Sequence, residues 1–334
     1  MNTLAVVFTE MGKAEIAEIE MPAPQAGEVQ IQTDVSFISV GTERWVLKNE
    51  FDWQPTPYPC VPGYQRIGKV VQVGPGVNDF RIGDRVAATT GIWPGDVAPA
   101  WGSHLRLANS RMEEVFRLPS NIADENASGA VVAQVGWNAA SRLRLSEGEW
   151  VVVFGDGLVG QCASQSVRAR GSKAILVGRN EARLAIASAH SADKVVDSRE
   201  GRVSEQIREA IGDGDLSGVI DTLQAEEVLH DCIALFGHFR SSPGQIVYAG
   251  FTPGKVWADM SVLQRYEVTC HFVSGWNRRR MEETLRQMEN GNLSLSPFIT
   301  HRVNYRQAPD MYDMILQKHS PFLGITLDWK EEQR

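Results

Sequence analysis

The amino-acid sequence predicts an α/β protein with two domains, a β-rich first part and a doubly wound parallel sheet. Three observations support this. The chain has 334 residues, which suits two domains of about 150 residues each. Short apolar strands separated by glycine and proline fill its first third. Further along, buried strands alternate with helical stretches, and the first of these strands runs into a glycine-rich turn.

The β-rich part begins with three segments that alternate or run apolar, "LAVVF", "EVQIQTDVSFIS" and "IGKVVQVG". The segment "GVNDFRIGDRVAA" then turns and re-enters a strand, and "GSHLRLANSRMEEVFRLP" continues the pattern. Such runs bounded by Gly and Pro are typical of strands. The first long stretch with helical periodicity covers residues 123–144, so we expect no long helix before it.

The second part shows a strand–helix alternation that starts at "EGEWVVVFGDGLVG". A buried strand over Trp150 to Phe154 meets a glycine turn, and a helical pattern follows that ends near Gly171. Further strands are predicted at "AILVG", "KVVDS", "GVIDTL", "GQIVYAGF" and "EVTCHFVSG". This alternation indicates βαβ units and therefore a parallel sheet. The remainder of the chain mixes a helix with β segments.

The composition limits the classes of partner that the protein can bind and predicts its cellular compartment. The net charge of -8 argues against broad electrostatic binding to nucleic acid or to an anionic membrane. No signal-peptide pattern and no apolar stretch of about 20 residues is present, so we expect a soluble, cytoplasmic protein. The four cysteines are widely dispersed and form no C-x-x-C pair, which predicts buried thiols rather than disulfides or a cysteine zinc site.

The glycine turn has the spacing of a dinucleotide-binding motif, with Gly155, Gly157 and Gly160 in G-x-G-x-x-G order. Gly155 permits a tight turn, Gly157 lets the backbone approach a pyrophosphate, and Gly160 lets the helix pack against the strand. Free N–H groups at the start of the helix, at Leu158 and Val159, then face the phosphates.

Discrimination between NAD and NADP usually depends on the end of the second strand, where an acidic residue binds the ribose hydroxyls. Gly178 occupies that place here, Arg179 follows directly, and Arg183 lies one turn further on. A missing carboxylate beside a guanidinium suits a 2′-phosphate, so the sequence favours NADP(H) over NAD(H). Alternatively, Arg179 stacks on the adenine of NAD.

Several landmarks together resemble the medium-chain dehydrogenase/reductase superfamily, the zinc alcohol dehydrogenase-like group. They are "GEVQIQTDVSFISVGTE", "VPGYQRIGKVVQVGPGVNDFRIGDRV", "LRLSEGEWVVVFGDGLVG", "GQIVYAGF" and "GNLSLSPFITHRV". The resemblance implies a GroES-like catalytic domain over residues 1–120, completed by residues 297–334, and a Rossmann domain over residues 121–296. The active-site cleft would lie where the two meet. It also implies a cofactor contact at Phe251 and a homodimer or homotetramer.

Within that superfamily, "ISVGTERW" and "YPCVPGYQRIGKV" are most similar to a zinc-lacking branch that contains bacteriochlorophyllide a dehydrogenase. Compared with the zinc-binding members, Val40 stands at the first metal-ligand position and Tyr64 at the second, and Gln65 replaces the neighbouring acid. No Cys or Asp occurs near the third, in "AQVGWN". Since Val40 has no donor atom, we expect no zinc.

The resemblance also supplies candidate catalytic residues. Thr42 matches the hydroxyl that relays the alcohol proton, and Glu43 matches an acid that normally supports the ligand histidine. Tyr64 could then donate to a carbonyl oxygen or alkoxide in place of zinc, with a Glu43–Tyr64 hydrogen bond behind it. Trp45, Gln65 and Trp93 are expected to line a substrate pocket, and His104 to be a satisfied structural histidine.

The function predicted from the sequence is therefore zinc-independent, NAD(P)(H)-dependent hydride transfer between an alcohol and a carbonyl. Two alternatives stay open. A quinone or activated-alkene (enoyl) reductase needs no metal because its substrate is already electron-poor. A non-catalytic NADP(H)-binding sensor would keep the nucleotide fold and lose the chemistry.

Overall fold

A computed structural model of the chain describes residues 1–51, 54–239, 244–250, 258–317 and 321–330. These residues form two compact units. The first contains Met1–Val131, Met281–Glu289 and the segment that follows Ile299, and the second contains Val132–Arg280 and Asn290–Phe298. The domain limits predicted at residues 120 and 296 stay a prediction.

The N-terminal part of the first unit is mainly β, as its sequence predicts. Its two short helices are α1 (Val40–Leu47) and α2 (Asp124–Ser128). Its strands are β1 (Asn2–Glu10), β2 (Lys13–Glu20), β3 (Glu28–Ile38), β4 (Cys60–Val61), β5 (Arg66–Val73), β6 (Arg85–Ala88), β7 (Ala98–Pro99), β8 (Leu107–Arg111) and β9 (Val115–Arg117).

Helices and strands alternate through the second unit. Its helices are α3 (Ala130–Arg142), α4 (Leu158–Ala169), α5 (Glu181–His190), α6 (Val203–Ile211), α7 (Glu226–Phe239) and α8 (Met260–Arg265). Its strands are β10 (Trp150–Phe154), β11 (Lys173–Gly178), β12 (Lys194–Asp197), β13 (Leu216–Asp221), β14 (Gln245–Tyr248) and β15 (Thr269–Phe272). The chain ends with α9 (Arg278–Glu289), β16 (Ile299–Asn304), α10 (Ala308–Gln317) and β17 (Gly324–Asp328).

Two sheets form the first unit. One has the order β16-β17-β3-β5-β6-β9, with β8 also paired to β3, and the other has the order β2-β1-β4-β7. Strands β3 and β5 run antiparallel with Thr33 opposite Gly68. A Cβ at Gly68 would lie 2.0 Å from the carbonyl oxygen of Gln32, so only glycine allows this approach. Antiparallel pairing of β17 with β3 makes the C-terminal segment part of the same sheet.

The second unit contains a parallel sheet with the order β12-β11-β10-β13-β14-β15. Strand β10 is buried along its whole length. Its alternate residues enter two core clusters, Val152 and Phe154 with residues of α6 and α7, and Val151 and Val153 with residues of α3 and α4. This confirms the doubly wound sheet. Within the described residues, no helix is both long and apolar enough to cross a lipid bilayer.

Candidate functional site

The glycine turn lies between β10 and α4, at the carboxyl end of a central strand where the strand order reverses. Gly155 has a φ of +111°, and a Cβ there would lie 2.1 Å from Thr222 Oγ1. A Cβ at Gly160 would lie 1.9 Å from the carbonyl oxygen of Gly155. At Gly157, by contrast, a Cβ would meet no atom within 4 Å. Two glycines therefore serve packing, and the third faces open space.

Helix α4 begins at Leu158, with Gly157 as its N-cap and no side-chain hydrogen bond capping it. The N–H groups of Leu158 and Val159 thus lie at an uncapped helix start beside that open space. A pyrophosphate fits here, because helix N-termini offer N–H donors and a positive dipole end to anions. The predicted Phe251 contact lies outside the described residues.

A carboxylate occupies the end of β11, where the sequence predicts one to be missing. It belongs to Asp156, which lies in the glycine turn itself. Its Oδ2 accepts hydrogen bonds from the backbone N–H groups of Arg179 and Asn180, both at 2.9 Å. Its Oδ1 lies 3.2 Å from Arg183 Nη1. The premise that no acid stands beside Gly178 is therefore wrong, because the neighbouring strand end supplies one.

In the first unit, a network of buried polar side chains surrounds Glu43. We call it the Glu43 cluster; each member is at most 8% exposed, and they are Ser36, Ser39, Glu43, Tyr64, His104, Tyr312 and Trp329. Glu43 Oε1 accepts from the Ser39 backbone N–H at 2.7 Å. Glu43 Oε2 is bound by the hydroxyl of Tyr312 and lies 2.9 Å from His104 Nε2.

The second ring nitrogen of His104, Nδ1, is also hydrogen-bonded. His104 Nδ1 lies 2.8 Å from Ser36 Oγ, which accepts a hydrogen bond from Trp329 Nε1 at 2.8 Å. A Cβ at Gly63 would lie 2.5 Å from His104 Nε2, so the glycine before Tyr64 makes room for this ring. His104 is therefore a buried histidine with both nitrogens hydrogen-bonded, as its sequence interpretation expects.

Tyr64 donates its hydroxyl proton to Ser39 Oγ. The bond from Tyr64 to Ser39 thus replaces the predicted Glu43–Tyr64 hydrogen bond, because a phenol has one proton to donate. Glu43 itself contacts Ser39, His104 and Tyr312. Burial raises the pKa of Tyr64 to about 12, although hydrogen bonds with Ser39 and Thr42 oppose the rise. The negative charge of Glu43 raises the pKa further. At neutral pH Tyr64 is a proton-bearing donor.

The described residues contain no group of three or more His, Cys, Asp or Glu side chains placed to hold a metal ion. Val40 opens α1 with an aliphatic side chain that has no donor atom, and Tyr64 and Gln65 are buried residues that offer a phenol and an amide rather than an imidazole, a thiolate or a carboxylate. The nearest acid, Glu43, is occupied by its hydrogen bonds. The residues at this place therefore do not fit a zinc ion.

A cavity of about 420 Å³ lies in the first unit. Apolar groups dominate its wall, and its lining residues are Val46, Phe51, Gln54, Pro55, Thr56, Pro57, Thr90, Gly91, Ile92, Pro99, Ala100, Trp101, Arg111 and Glu114. The ring of Trp101 also packs edge-on against Tyr64, with centroids 5.5 Å apart. Trp101 has a φ of +67°, a strained value for a bulky residue. The cavity wall thus touches the Glu43 cluster.

None of the three predicted pocket residues lines this cavity. Trp45 packs against the apolar core and meets Phe51 edge-on at 5.9 Å. Gln65 is buried, with its amide 3.5 Å from the carbonyl oxygen of Phe37. Trp93 donates from Nε1 to the carbonyl oxygen of Val97 at 2.8 Å. As substrate contacts, these residues stay a prediction.

Sequence reasoning missed Asp156, Ser39 and Tyr312. Asp156 lies inside the glycine motif, where its carboxylate could have been recognised from the sequence as a candidate cofactor contact. Ser39 directly precedes the "VGTE" stretch and was a weaker one. Tyr312 lies 269 positions from Glu43, so no local pattern links them.

Comparisons with known proteins agree with this architecture. A family model described as "Alcohol dehydrogenase GroES-like domain" matches residues 25–120. A second one, described as "Zinc-binding dehydrogenase", matches residues 159–290. Among curated proteins, alcohol dehydrogenase notN of Aspergillus sp. is 24% identical over 96% of this chain and 97% of its own length.

Two solved structures illustrate the likeness in fold. A short chain alcohol dehydrogenase from Escherichia coli CFT073, complexed with NADH, has a TM-score of 0.84 and 19% identity. A protein named as a zinc-binding dehydrogenase from Sinorhizobium meliloti 1021, bound to NADP, has a TM-score of 0.85 and 19% identity. In both comparisons the match covers 98% of this chain and 99% of the other.

Proposed function

The chain belongs to the medium-chain dehydrogenase/reductase superfamily, as an NAD(P)-dependent oxidoreductase of the alcohol dehydrogenase type, and from that premise we propose hydride transfer without a catalytic zinc. The reaction would interconvert an alcohol and a carbonyl. The observation that carries the proposal is the protonated hydroxyl of Tyr64, hydrogen-bonded with Ser39 and Thr42 at the position that the superfamily resemblance assigns to a zinc ligand.

Hydride transfer to a carbonyl carbon leaves negative charge on its oxygen, which a zinc ion would otherwise stabilise. When bound, the nicotinamide supplies or accepts the hydride. On the protein side, the Tyr64 hydroxyl would turn its proton from Ser39 Oγ to the substrate oxygen and then transfer it, and the hydroxyls of Ser39 and Thr42 would donate to the phenolate left behind. In the oxidation direction the steps reverse: Tyr64 must first lose its own proton, and the phenolate then takes up the alcohol proton.

Glu43 acts as a positioning residue in this scheme. Its carboxylate accepts the backbone N–H of Ser39, the residue that directly precedes α1, and this bond fixes the Ser39 hydroxyl that receives Tyr64. His104 and Tyr312 hold the carboxylate in turn. Since the cluster is buried, its geometry is rigid, and the Tyr64 hydroxyl has a fixed place.

The substrate we propose has a mainly apolar body. At about 420 Å³ the cavity has the size of a small-molecule site, and Trp101 forms part of its wall while touching Tyr64. Arg111 and Glu114 add two charged groups that could orient a polar end. We therefore expect a bulky alcohol or ketone to react better than ethanol or acetaldehyde.

A cofactor-oxidation screen against alcohols, ketones, enones and quinones tests the proposal, with Tyr64→Phe as the diagnostic variant. Losing one such donor costs about 2.7–4 kcal/mol of barrier, so turnover of a ketone should fall about a hundredfold or more. Cofactor affinity should stay unchanged. Tyr305→Phe is the matched control, because the Tyr305 hydroxyl is buried and has no hydrogen-bond partner among the described residues.

Three outcomes would contradict parts of this proposal. Unchanged turnover in both Tyr64→Phe and Thr42→Val, with enones or quinones as the best substrates, would favour reduction of an activated substrate. Cofactor binding without turnover of any class would favour a sensor. About one zinc per chain in tag-free protein, with activity lost on chelation, would overturn zinc independence.

A further inference from the structure

The end of β11 is where the adenosine ribose of a dinucleotide is read in doubly wound sheets. Two backbone N–H groups, of Arg179 and Asn180, and the guanidinium of Arg183 converge there. N–H groups and a guanidinium of this kind suit a phosphate. In this chain all three already bind one acceptor, the carboxylate of Asp156.

The position is built for that carboxylate. A Cβ at residue 178 would lie 2.5 Å from Asp156 Cβ and 2.6 Å from its Oδ2, so only glycine leaves room for it. Asp156 is 9% exposed, and its side chain crosses from the end of β10 to the end of β11. Gly178 is thus the residue that admits an acid, rather than a sign that the acid has been lost.

An ionised carboxylate accepts about four hydrogen bonds. Three are used here, by Arg179, Asn180 and Arg183, which leaves room for one more donor. A ribose 2′-hydroxyl is such a donor. A 2′-phosphate is not: it would meet a like charge and find the two backbone donors occupied. The side chain of Arg179 is exposed.

Resting on the proposed binding of a nicotinamide cofactor at the glycine turn, we infer that Asp156 is the specificity-determining residue and selects NAD(H) over NADP(H). This reverses the preference predicted from Gly178 and Arg179. In this inference Arg183 does not bind a phosphate. Its ion pair with Asp156 holds the carboxylate against β11.

Isothermal titration of NAD⁺ and NADP⁺ into the wild-type protein and Asp156→Ala tests this inference by affinity alone. We expect wild-type protein to bind NAD⁺ at least about tenfold more tightly. In Asp156→Ala the two backbone donors lose their acceptor and the ion pair of Arg183 is broken, so the affinity ratio should shift toward NADP⁺ by roughly a hundredfold. Titration with 5′-AMP and adenosine 2′,5′-bisphosphate should show the same shift.

Two further variants keep the test decisive. Asp156→Asn preserves the size of the side chain and removes its charge, so it should shift the ratio in the same direction by a smaller factor if Asp156→Ala does not fold. Asp193→Ala is the matched control. Asp193 also accepts a backbone N–H of β11, from Ala174 at 2.8 Å, and also pairs with an arginine, Arg168, but at the opposite end of the strand.

A wild-type preference for NADP⁺, or an unchanged ratio in both Asp156 variants, would overturn the inference and leave the proposed function intact. A shift of equal size in Asp193→Ala would do the same, since it would mean that the effect is not local. If wild-type protein binds none of the four nucleotides, the proposed function itself fails, and the inference fails with it.

Discussion

The bond from Tyr312 to Glu43 should be among the most stabilising single contacts of the first unit. Tyr312→Phe keeps the ring, which packs edge-on against Phe8 at 4.8 Å, and removes only the hydroxyl. Burial raises the pKa of Tyr312 well above its usual value, and the charge of Glu43 adds to the rise, so the hydroxyl is a permanent donor. Without it, the partner that remains to Glu43 Oε2 among the described residues is His104.

The size of the effect follows from burial, because Glu43 and Tyr312 are both 0% exposed and bulk water does not reach the carboxylate. A hydrogen bond to a charged group contributes about 1.5–3 kcal/mol, and we expect that loss in the free energy of unfolding. For a unit of this size, the midpoint of thermal unfolding should fall by roughly 3–12 °C.

The measurement is urea unfolding followed by circular dichroism, with Tyr305→Phe as its control. Tyr305 lies in the same C-terminal segment, is 1% exposed and stacks on Trp329 at 4.6 Å, but its hydroxyl has no partner among the described residues. Removing an unsatisfied hydroxyl should be neutral or slightly stabilising. Equal losses in the two variants, within about 0.5 kcal/mol, would refute the reasoning, since measured single contacts vary by about that much.

Two other predictions concern the glycine turn and the buried thiols. Gly157→Ala should lower dinucleotide affinity by about tenfold or more while leaving the free energy of unfolding unchanged, because its methyl enters space that a pyrophosphate needs. Gly160→Ala should destabilise the fold, since its Cβ would lie 1.9 Å from a backbone oxygen. Dinucleotide titration and urea unfolding of both variants check these two predictions, and equal losses in the free energy of unfolding would contradict them. Burial raises the pKa of Cys60 and of Cys162 to about 12. An unfolded thiol ionises at about pH 8.5, so the thiols should not change the free energy of unfolding below that pH. Above it, the unfolded chain loses protons that the folded chain keeps, and the free energy of unfolding should fall by up to about 1.4 kcal/mol per pH unit for each thiol. A free energy of unfolding in urea that stays constant to about pH 10 would contradict this.

Features encoded in one continuous segment could be predicted from the sequence. The strand over Trp150–Phe154 needs only its apolar run, and the turn after it needs only three glycines at fixed spacing. The positions of Thr42 and Tyr64 followed from the resemblance, because the superfamily keeps its motifs in order along the chain. These features depend on backbone conformation and local burial, which nearest neighbours in sequence largely determine.

The tertiary structure alone decided which side chains meet. Glu43 binds His104, 61 positions away, and Tyr312, 269 positions away, and these contacts left Tyr64 to bind Ser39. Asp156 and Asn180 are 24 positions apart, yet a parallel pairing of β10 with β11 brings their ends together and puts an acid where position 178 has none. Such pairs share no local pattern, because the register of sheets and the packing of a C-terminal helix set their distance. The hydrogen-bond partner of each of these polar side chains can therefore be identified only from the folded structure.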